Sequence, residues 1–317
     1  MRIIPDVKEI LKDTGSTALT LFKIIIPISI IVKILSYVGA IKIIGDYLAP
    51  AMGIVGLPGD FGFVWATALI SNIYGGLIVF FQLSLQNTYT IAQVTILGSM
   101  MLIAHTLPIE ARIAQKAGVR LWYIISLRIF AAIAFGIILN LIFTTFNLYQ
   151  NENSLIWKPD TTNPTLYQWV LGQLNYYIII FLIILGLVAL MHILKKTGAL
   201  DKLNNALKPL LKPMGMSKEA APITIIGMTL GVAYGGGLII KEAKAKALSK
   251  KDRFLSLSLM GLSHSLIEDT ILILSIGASF MGIFVGRLLF TIIVMLILIR
   301  FINRISKKTF EKYFVSN

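Results

Sequence analysis

The fold is decided by a short motif that occurs twice, first as Tyr74-Gly75-Gly76 and again as Tyr234-Gly235-Gly236-Gly237. Each copy lies inside an apolar segment, residues 61–82 in the first half and 220–240 in the second. Both segments are long enough to cross roughly 30 Å of hydrocarbon at about 1.5 Å per residue. Glycine permits turns and close backbone approach, so each motif is a place where its membrane segment can turn or pack closely against another backbone.

Composition places the whole chain in a membrane. Of its 317 residues, 56% are hydrophobic and only 14% are charged, and the mean hydropathy is +0.82. Further apolar runs long enough to span occur at 17–39, 119–143, 176–194 and 284–302. These values predict an all-α, polytopic membrane protein. Because the chain has no cysteine, disulfides, thiolate metal sites and cysteine nucleophiles are excluded.

The distribution of the net charge of +14 predicts the topology. Basic residues crowd the connections 195–218 and 241–253 and the C-terminal tail, whereas 81–90 is uncharged and 147–174 has a single base. Positively charged connections stay in the cytoplasm, so both termini are expected there and the protein in the cytoplasmic (inner) membrane. The excess charge suits anionic lipids and not nucleic acid. The charged segment 1–16 has no cleavage site and predicts an interfacial helix.

This topology creates a conflict at both glycine-bearing segments. The ends of 59–83 both fall outside, and the ends of 218–241 both fall inside. A re-entrant helical hairpin that enters and leaves on one side resolves both conflicts, and non-helical backbone at membrane depth is typical of a substrate path. The alternative is a kinked spanning helix in which the glycines serve close helix packing.

The two halves of the sequence repeat each other. His105 recurs as His264 and Arg128 as Arg287, each 159 positions later, and Glu110 is matched with Glu268 at a spacing of 158. A colinear series of such matches indicates a duplication. Three further pairs have the 159 spacing: Gly39 with Gly198, Pro50 with Pro209, and Gly56 with Gly215.

Each repeat predicts a spanning helix, an interfacial helix, a hairpin and two more spanning helices. An odd number of crossings requires the second copy to be inverted, as in many secondary transporters. The prediction is about six full transmembrane helices plus two re-entrant hairpins and interfacial helices. The repeats are 1–146 and 175–317, joined by a polar extracytoplasmic linker at 147–174. The predicted helices and hairpins are 17–38, 39–55, 59–83, 86–110 and 119–146, then 175–196, 198–213, 218–241, 253–280 and 284–305.

This order of elements resembles the transport core of the concentrative nucleoside transporters and, more broadly, the nucleoside recognition or Gate-domain membrane proteins. The resemblance rests on the glycine-bearing hairpins, the interfacial helices before them, and the later helices, broken near 105–108 and 261–264. It covers about residues 17–305. The nucleoside transporters are expected to carry a Gln-Thr-Glu type cluster in the first hairpin, where this chain has Ser71, Asn72 and Tyr74. The resemblance therefore implies the architecture more than the substrate.

Substrate contacts are predicted in and beside the hairpins. Polar side chains there could hydrogen-bond either a ligand or backbone that the hairpin turn frees, and the glycines allow close approach. The predicted substrate-binding residues are Ser71, Asn72, Tyr74, Gly75, Gly76, Thr229, Tyr234, Gly235, Gly236, Gly237 and Ser263.

Ionisable residues within the membrane segments predict a second set of functional positions: His105, Glu110, His264, Glu268 and Asp269. On a continuous helix His264 and Glu268 would share one face. Histidines and carboxylates converging from two repeats could couple transport to protons or contact substrate. They could equally bind a divalent metal or serve as structural polar contacts.

Two arginines occupy matching places in the last helix of each repeat. Arg128 and Arg287 are flanked by apolar residues, so each is expected to pair with a carboxylate or to clamp an anionic substrate. Pairing with Glu110 and Glu268 is the favoured interpretation.

The sequence predicts a secondary transporter or exchanger of a small polar metabolite, nucleoside-like or an organic anion, that works by alternating access. Its coupling ion is a proton or sodium, no other cofactor is expected, and a homo-oligomer is compatible with the architecture. A divalent metal-ion permease and a non-transporting assembly factor remain alternatives. An enzyme is not predicted, because no set of nucleophile, base and orienting residue is visible.

Overall fold

The chain folds into a bundle of α-helices. The computed structural model describes residues 7–84, 87–153, 166–199, 213–231 and 248–316, together with 202, 205, 209, 211, 239–241 and 243. Within these ranges there is no β-strand, only the isolated bridges Thr90–Glu152 and Val119–Val315. The predicted all-α, polytopic architecture is confirmed.

Seven helices make up the first half of the chain. They are α1 (Val7–Tyr37), α2 (Ala40–Gly53), α3 (Asp60–Ile70), α4 (Ile73–Leu83), α5 (Ile91–Ile103), α6 (Leu107–Lys116) and α7 (Leu121–Thr145). α5 begins at a capping box in which Thr90 and Gln93 satisfy each other's backbone N–H groups.

The second half begins with a long apolar helix and repeats the pattern of broken helices. Its described helices are α8 (Leu166–Lys196), α9 (Ala221–Leu230), α10 (Lys250–Leu262), α11 (Glu268–Ser275), α12 (Arg287–Arg304) and α13 (Lys307–Phe314). A π-helical segment, Met281–Gly286, runs directly into α12. Most of the predicted interfacial helix 198–213 lies outside the described residues.

Five described segments are long and apolar enough to cross a membrane: Val7–Leu35, Ile91–Lys116, Leu121–Thr145, Val170–Leu194 and Met281–Arg304. Burial separates them into two kinds. In its most apolar stretch Ile91–Lys116 is 83% buried, against 19% for Val7–Leu35 and 17% for Val170–Leu194. The segment that contains α5 and α6 therefore forms the centre of the bundle, whereas α1 and α8 pack on each other at its side.

One expectation about these helices is wrong. The sequence predicts a separate interfacial helix before residue 17, yet α1 runs without interruption from Val7 through Pro27 to Tyr37. The predicted helices 86–110 and 253–280 are each divided in two, after Ile103 and after Leu262, close to the predicted breaks.

The first predicted hairpin is present as α3 and α4, but its turn is not at the glycines. The turn is Ser71-Asn72, because the Asn72 side chain caps α4 by accepting a hydrogen bond from the Gly75 backbone N–H at 2.9 Å. Gly75 and Gly76 lie in the first turns of α4. A Cβ on Gly76 would come within 2.8 Å of Ala68 and Met101 side-chain atoms, so this glycine serves close helix packing.

Candidate functional site

Two broken helices, one from each half, meet inside the bundle. In the first break Thr106 has φ 49°, and in the second Ser265 has φ 48°, the left-handed conformation that ends a helix. Each break leaves backbone N–H groups without a helical partner. Thr106 N–H donates to Ala68 O of α3, and Leu266 N–H donates to Met228 O of α9, both at 2.9 Å. The breaks are thus held by equivalent helices of the two halves.

A pair of histidines lies at the point where the breaks meet. His105 and His264 are 5% and 1% exposed, and their Nε2 atoms are 3.3 Å apart. The Nδ1 atom of His105 is 2.8 Å from Met101 O, and that of His264 is 2.9 Å from Met260 O. A carbonyl oxygen only accepts hydrogen bonds, so each Nδ1 carries a proton, and a ring in its neutral form then has its lone pair at Nε2.

Two buried carboxylates cross between the halves to reach these histidines. Glu110 Oε2 is 3.3 Å from His264 Nε2, and Asp269 Oδ2 is 3.5 Å from His105 Nε2. Each carboxylate contacts the histidine of the other half. In the structure the counterpart of Glu110 is therefore Asp269, 159 positions later. The match of Glu110 with Glu268, predicted from the sequence, is wrong.

The matching arginines behave differently. Arg128 Nη1 forms a buried ion pair with Glu110 Oε2 at 2.5 Å, while its Nε and Nη2 donate to Ile103 O and His105 O. Arg287 Nη2 donates to His264 O at 2.9 Å, and within the described part of the chain its Nε and Nη1 have no hydrogen-bond partner. The predicted pairing of Arg287 with Glu268 is replaced by this backbone contact.

Glu268 points away from the histidines, toward a cavity. The helix is interrupted between His264 and Glu268, so the two do not share a helical face as a continuous helix predicts. The Tyr74 hydroxyl donates to Glu268 Oε1 at 3.3 Å. These two side chains line an open cavity of about 470 Å³ whose other wall is formed by residues of α1 and α8. A cavity of this size accommodates a small metabolite.

Sequence reasoning missed the opposite wall of this cavity. Asp13 of α1 and His192 of α8 lie there, with His192 Nε2 2.9 Å from Asp13 Oδ2. The available signal was a histidine in an otherwise apolar run, Val170–Leu194. The sequence gives no reason to place Asp13 beside His192, because it predicts that Asp13 lies in an interfacial segment away from any substrate path.

Most of the other predicted substrate contacts are engaged within the protein. Ser71 Oγ donates to Thr67 O, Thr229 Oγ1 donates to Ile225 O, and the Ser263 hydroxyl is 3.1 Å from that of Thr291. Asn72 is the cap of α4. Tyr234, Gly235, Gly236 and Gly237 lie outside the described residues.

Two groups of described residues have the composition of a metal site. The ligand atoms of His105, His264 and Asp269 all lie within 4.8 Å of one another, and all three residues are buried. The second group, Glu9, Asp13 and His192, has the same spacing but lies largely at the surface.

Comparison with known proteins agrees with this architecture. Residues 177–280 match the family model Gate, described as nucleoside recognition. The chain is 28% identical to the uncharacterized membrane protein YvoD of Bacillus subtilis (strain 168) over 268 residues, which cover 82% of this chain and 83% of that protein. No solved structure matches the chain.

The matched range contains His264, Glu268, Asp269 and helix α9, so half of the buried centre belongs to it. The predicted resemblance is confirmed over this range. The chain is thus an all-α membrane protein whose residues 177–280 are similar to the Gate (nucleoside recognition) family.

Proposed function

We propose that this protein is a secondary transporter that moves a small polar metabolite across the cytoplasmic membrane. The observation that carries the proposal is the meeting of two equivalent broken helices, held by α3 and α9, at a buried centre of charged groups. Breaks of this kind, in matching positions of inverted repeats, are typical of secondary transporters that work by alternating access. Ionisable residues buried in membrane segments are costly and mark ion or substrate pathways.

The cavity beside this centre supports the substrate class. Its polar side chains include Tyr74, Glu268, Asp13 and His192, set among apolar residues of α8 such as Leu187. Two carboxylates facing one space repel an anion and accept hydrogen bonds from hydroxyl, amide or amine groups. The proposal therefore favours a neutral, nucleoside-like metabolite over an organic anion. A gradient of protons or sodium would drive its accumulation.

Transport is tested by uptake of radiolabelled nucleosides, nucleobases and organic anions into proteoliposomes, with a proton or a sodium gradient imposed in turn. We expect Glu268→Gln to lower uptake about tenfold or more, because a hydrogen bond to a charged group contributes about 1.5–3 kcal/mol. Tyr74→Phe should lower uptake about two- to tenfold, because it removes one hydroxyl from the same wall.

The control for these variants is Lys250→Gln. Lys250 pairs with Glu311 at 2.7 Å on the exposed surface, where an ion pair contributes little, so uptake should be unchanged. Uptake by Glu268→Gln equal to the wild type would remove the cavity from the substrate path. No uptake of any compound by folded wild-type protein would favour the non-transporting assembly factor.

The topology of the proposal is tested by cysteine labelling, which the cysteine-free chain allows. Asn151 and Lys308 are exposed, whereas Ser84 is buried and unsuited to labelling. In intact cells an impermeant maleimide should label Asn151→Cys and should label Lys308→Cys only after permeabilisation. Labelling of Lys308→Cys in intact cells would contradict a cytoplasmic C-terminus.

A further inference from the structure

We propose that His105, His264 and Asp269 bind one divalent transition-metal ion at the junction of the two halves of the chain. The site goes beyond the proposed transport function and does not depend on it. It rests on the direction of lone pairs, on the distances between them, and on a buried oxygen atom that has no hydrogen-bond partner.

Several buried groups present lone pairs to one another when the histidines are neutral. Because both Nδ1 atoms donate to backbone oxygens, a neutral ring has its lone pair at Nε2, and the two Nε2 atoms lie 3.3 Å apart. Asp269 Oδ2 adds another acceptor 3.5 Å from His105 Nε2. Acceptors that face one another repel unless a cation lies between them. A Nδ1–H bond to a backbone carbonyl is also the usual orienting contact of a metal-binding histidine.

Two of the three distances between the ligand atoms fit an ion of tetrahedral geometry. With metal–nitrogen bonds of about 2.0–2.1 Å, two ligand nitrogens on a tetrahedral ion are separated by about 3.3–3.4 Å. The two Nε2 atoms are 3.3 Å apart, and the separation of 3.5 Å between Asp269 Oδ2 and His105 Nε2 is similar. The ligand atoms of His264 and Asp269 lie within 4.8 Å of each other, so an ion that binds all three residues would draw the Asp269 side chain toward His264.

Asp269 provides an independent observation. The residue is 6% exposed, and its Oδ2 atom has no hydrogen-bond partner among the residues that the structure describes. An unsatisfied buried carboxylate oxygen is strongly unfavourable, and coordination of a cation satisfies it. Glu110 does not take this role, because Arg128 holds its Oε2. The protein thus supplies three ligands and leaves one tetrahedral position.

The charge of the centre and the types of ligand determine which cation it suits. The carboxylates of Glu110 and Asp269 equal the guanidinium groups of Arg128 and Arg287 in number, so the centre has no excess positive charge when all four are ionised. Glu268, which faces the neighbouring cavity, adds a negative charge beside it. Two imidazoles and one carboxylate suit Zn²⁺, Fe²⁺ or Co²⁺ better than Mg²⁺ or Ca²⁺. An ion bound there would join residues 159 positions apart and tie the two halves together.

Cobalt titration of the purified, full-length protein tests this site. After treatment with a chelator, the protein is titrated with Co²⁺ in detergent and its visible absorption is recorded. We expect the intense absorption bands of tetrahedral Co²⁺ to saturate at one equivalent per chain, and Zn²⁺ to abolish them. Both metals should raise the melting temperature, because they bind the folded state.

The chain offers matched variants. Its three histidines are His105, His192 and His264, and His192 belongs to the second, exposed group. Loss of an outer-shell partner weakens metal binding about 10–100-fold. His264→Gln and the nearly isosteric Asp269→Asn remove direct ligands, so each should weaken Co²⁺ binding by more than that. His192→Asn should leave the spectrum and the melting shift unchanged.

Three results would overturn the site. One is an unchanged tetrahedral spectrum in Asp269→Asn. This variant nearly preserves the shape of the side chain, so it still tests the site if His264→Gln does not fold. Another is loss of the spectrum in His192→Asn, which would place the ion at the exposed group. The third is absence of binding by folded wild-type protein. In that case a proton shared by the two histidines would explain the close approach of their Nε2 atoms. None of these results depends on uptake, so failure of transport is distinguishable from failure of metal binding.

Discussion

Arg128→Met is expected to lower the free energy of unfolding by about 3–5 kcal/mol, the cost of breaking a buried ion pair from one side. Methionine is also long and unbranched, but it has no charge, so Glu110 stays charged and buried without its ion-pair partner. It also removes the donors to Ile103 O and His105 O, at 2.8 and 2.9 Å, in the region where the helix is already broken. The loss is measured by denaturation in mixed micelles.

Arg287→Met is the matched comparison for this effect. Both arginines are buried, at 1% and 0% exposure, but Arg287 makes a single hydrogen bond, to His264 O, against three polar contacts for Arg128. We therefore expect a smaller loss for Arg287→Met. Arg128→Lys should be intermediate, because it retains the charge and loses the planar group that reaches three acceptors. Equal losses for the two methionine variants would contradict this assignment.

Gly59→Ala is expected to destabilise the junction of α2 with α3 by about 1–3 kcal/mol or more, as overpacking does. A Cβ at this position would lie 2.0 Å from Gly45 O, 2.8 Å from Gly45 C and 3.0 Å from Ala49 Cα. All three are backbone atoms, so the clash cannot be relieved by rotation of a side chain. The helices must separate, which should lower the melting temperature.

Gly53→Ala serves as the control for this prediction. Gly53 lies at the exposed end of α2, and an added Cβ there would meet nothing within 4 Å. Because alanine favours the helix over glycine, this variant should be neutral or slightly stabilised. If Gly59→Ala melts at the same temperature as Gly53→Ala, the close contact of α2 with the start of α3 is not formed.

Much of the fold was predictable because it depends on local features of the chain. Apolar length identifies the spanning segments, and the Thr90–Gln93 pair is a recognisable capping box. Pro108 indicates the first helix break, and the spacing of 159 residues pairs His105 with His264 and Arg128 with Arg287. These residue types restrict backbone conformation or cost energy in a membrane wherever they occur, so their positions carry structural information by themselves.

The position of the hairpin turn was harder to predict. Asn72 competes with Gly75 and Gly76 for the turn, and asparagine prevails because its side chain caps the next helix, which frees the glycines for packing against Ala68 and Met101. That outcome depends on residues from other helices. The same holds for Asp13 and His192, which line the cavity only because α1 and α8 pack side by side.

By itself, the sequence determined an all-helical membrane protein with two matched halves, two broken helices and a set of buried histidines, carboxylates and arginines. Only the tertiary structure decided how these groups combine: Glu110 with His264, Asp269 with His105, and Glu268 with Tyr74 in the cavity. The physical reason is that helical period and repeat spacing act along the chain, whereas these contacts cross between segments more than 150 residues apart. Their geometry depends on which side chains the packing brings within reach. Glu110 reaches the Arg128 guanidinium, whereas the Oδ2 atom of Asp269 has no hydrogen-bond partner among the described residues.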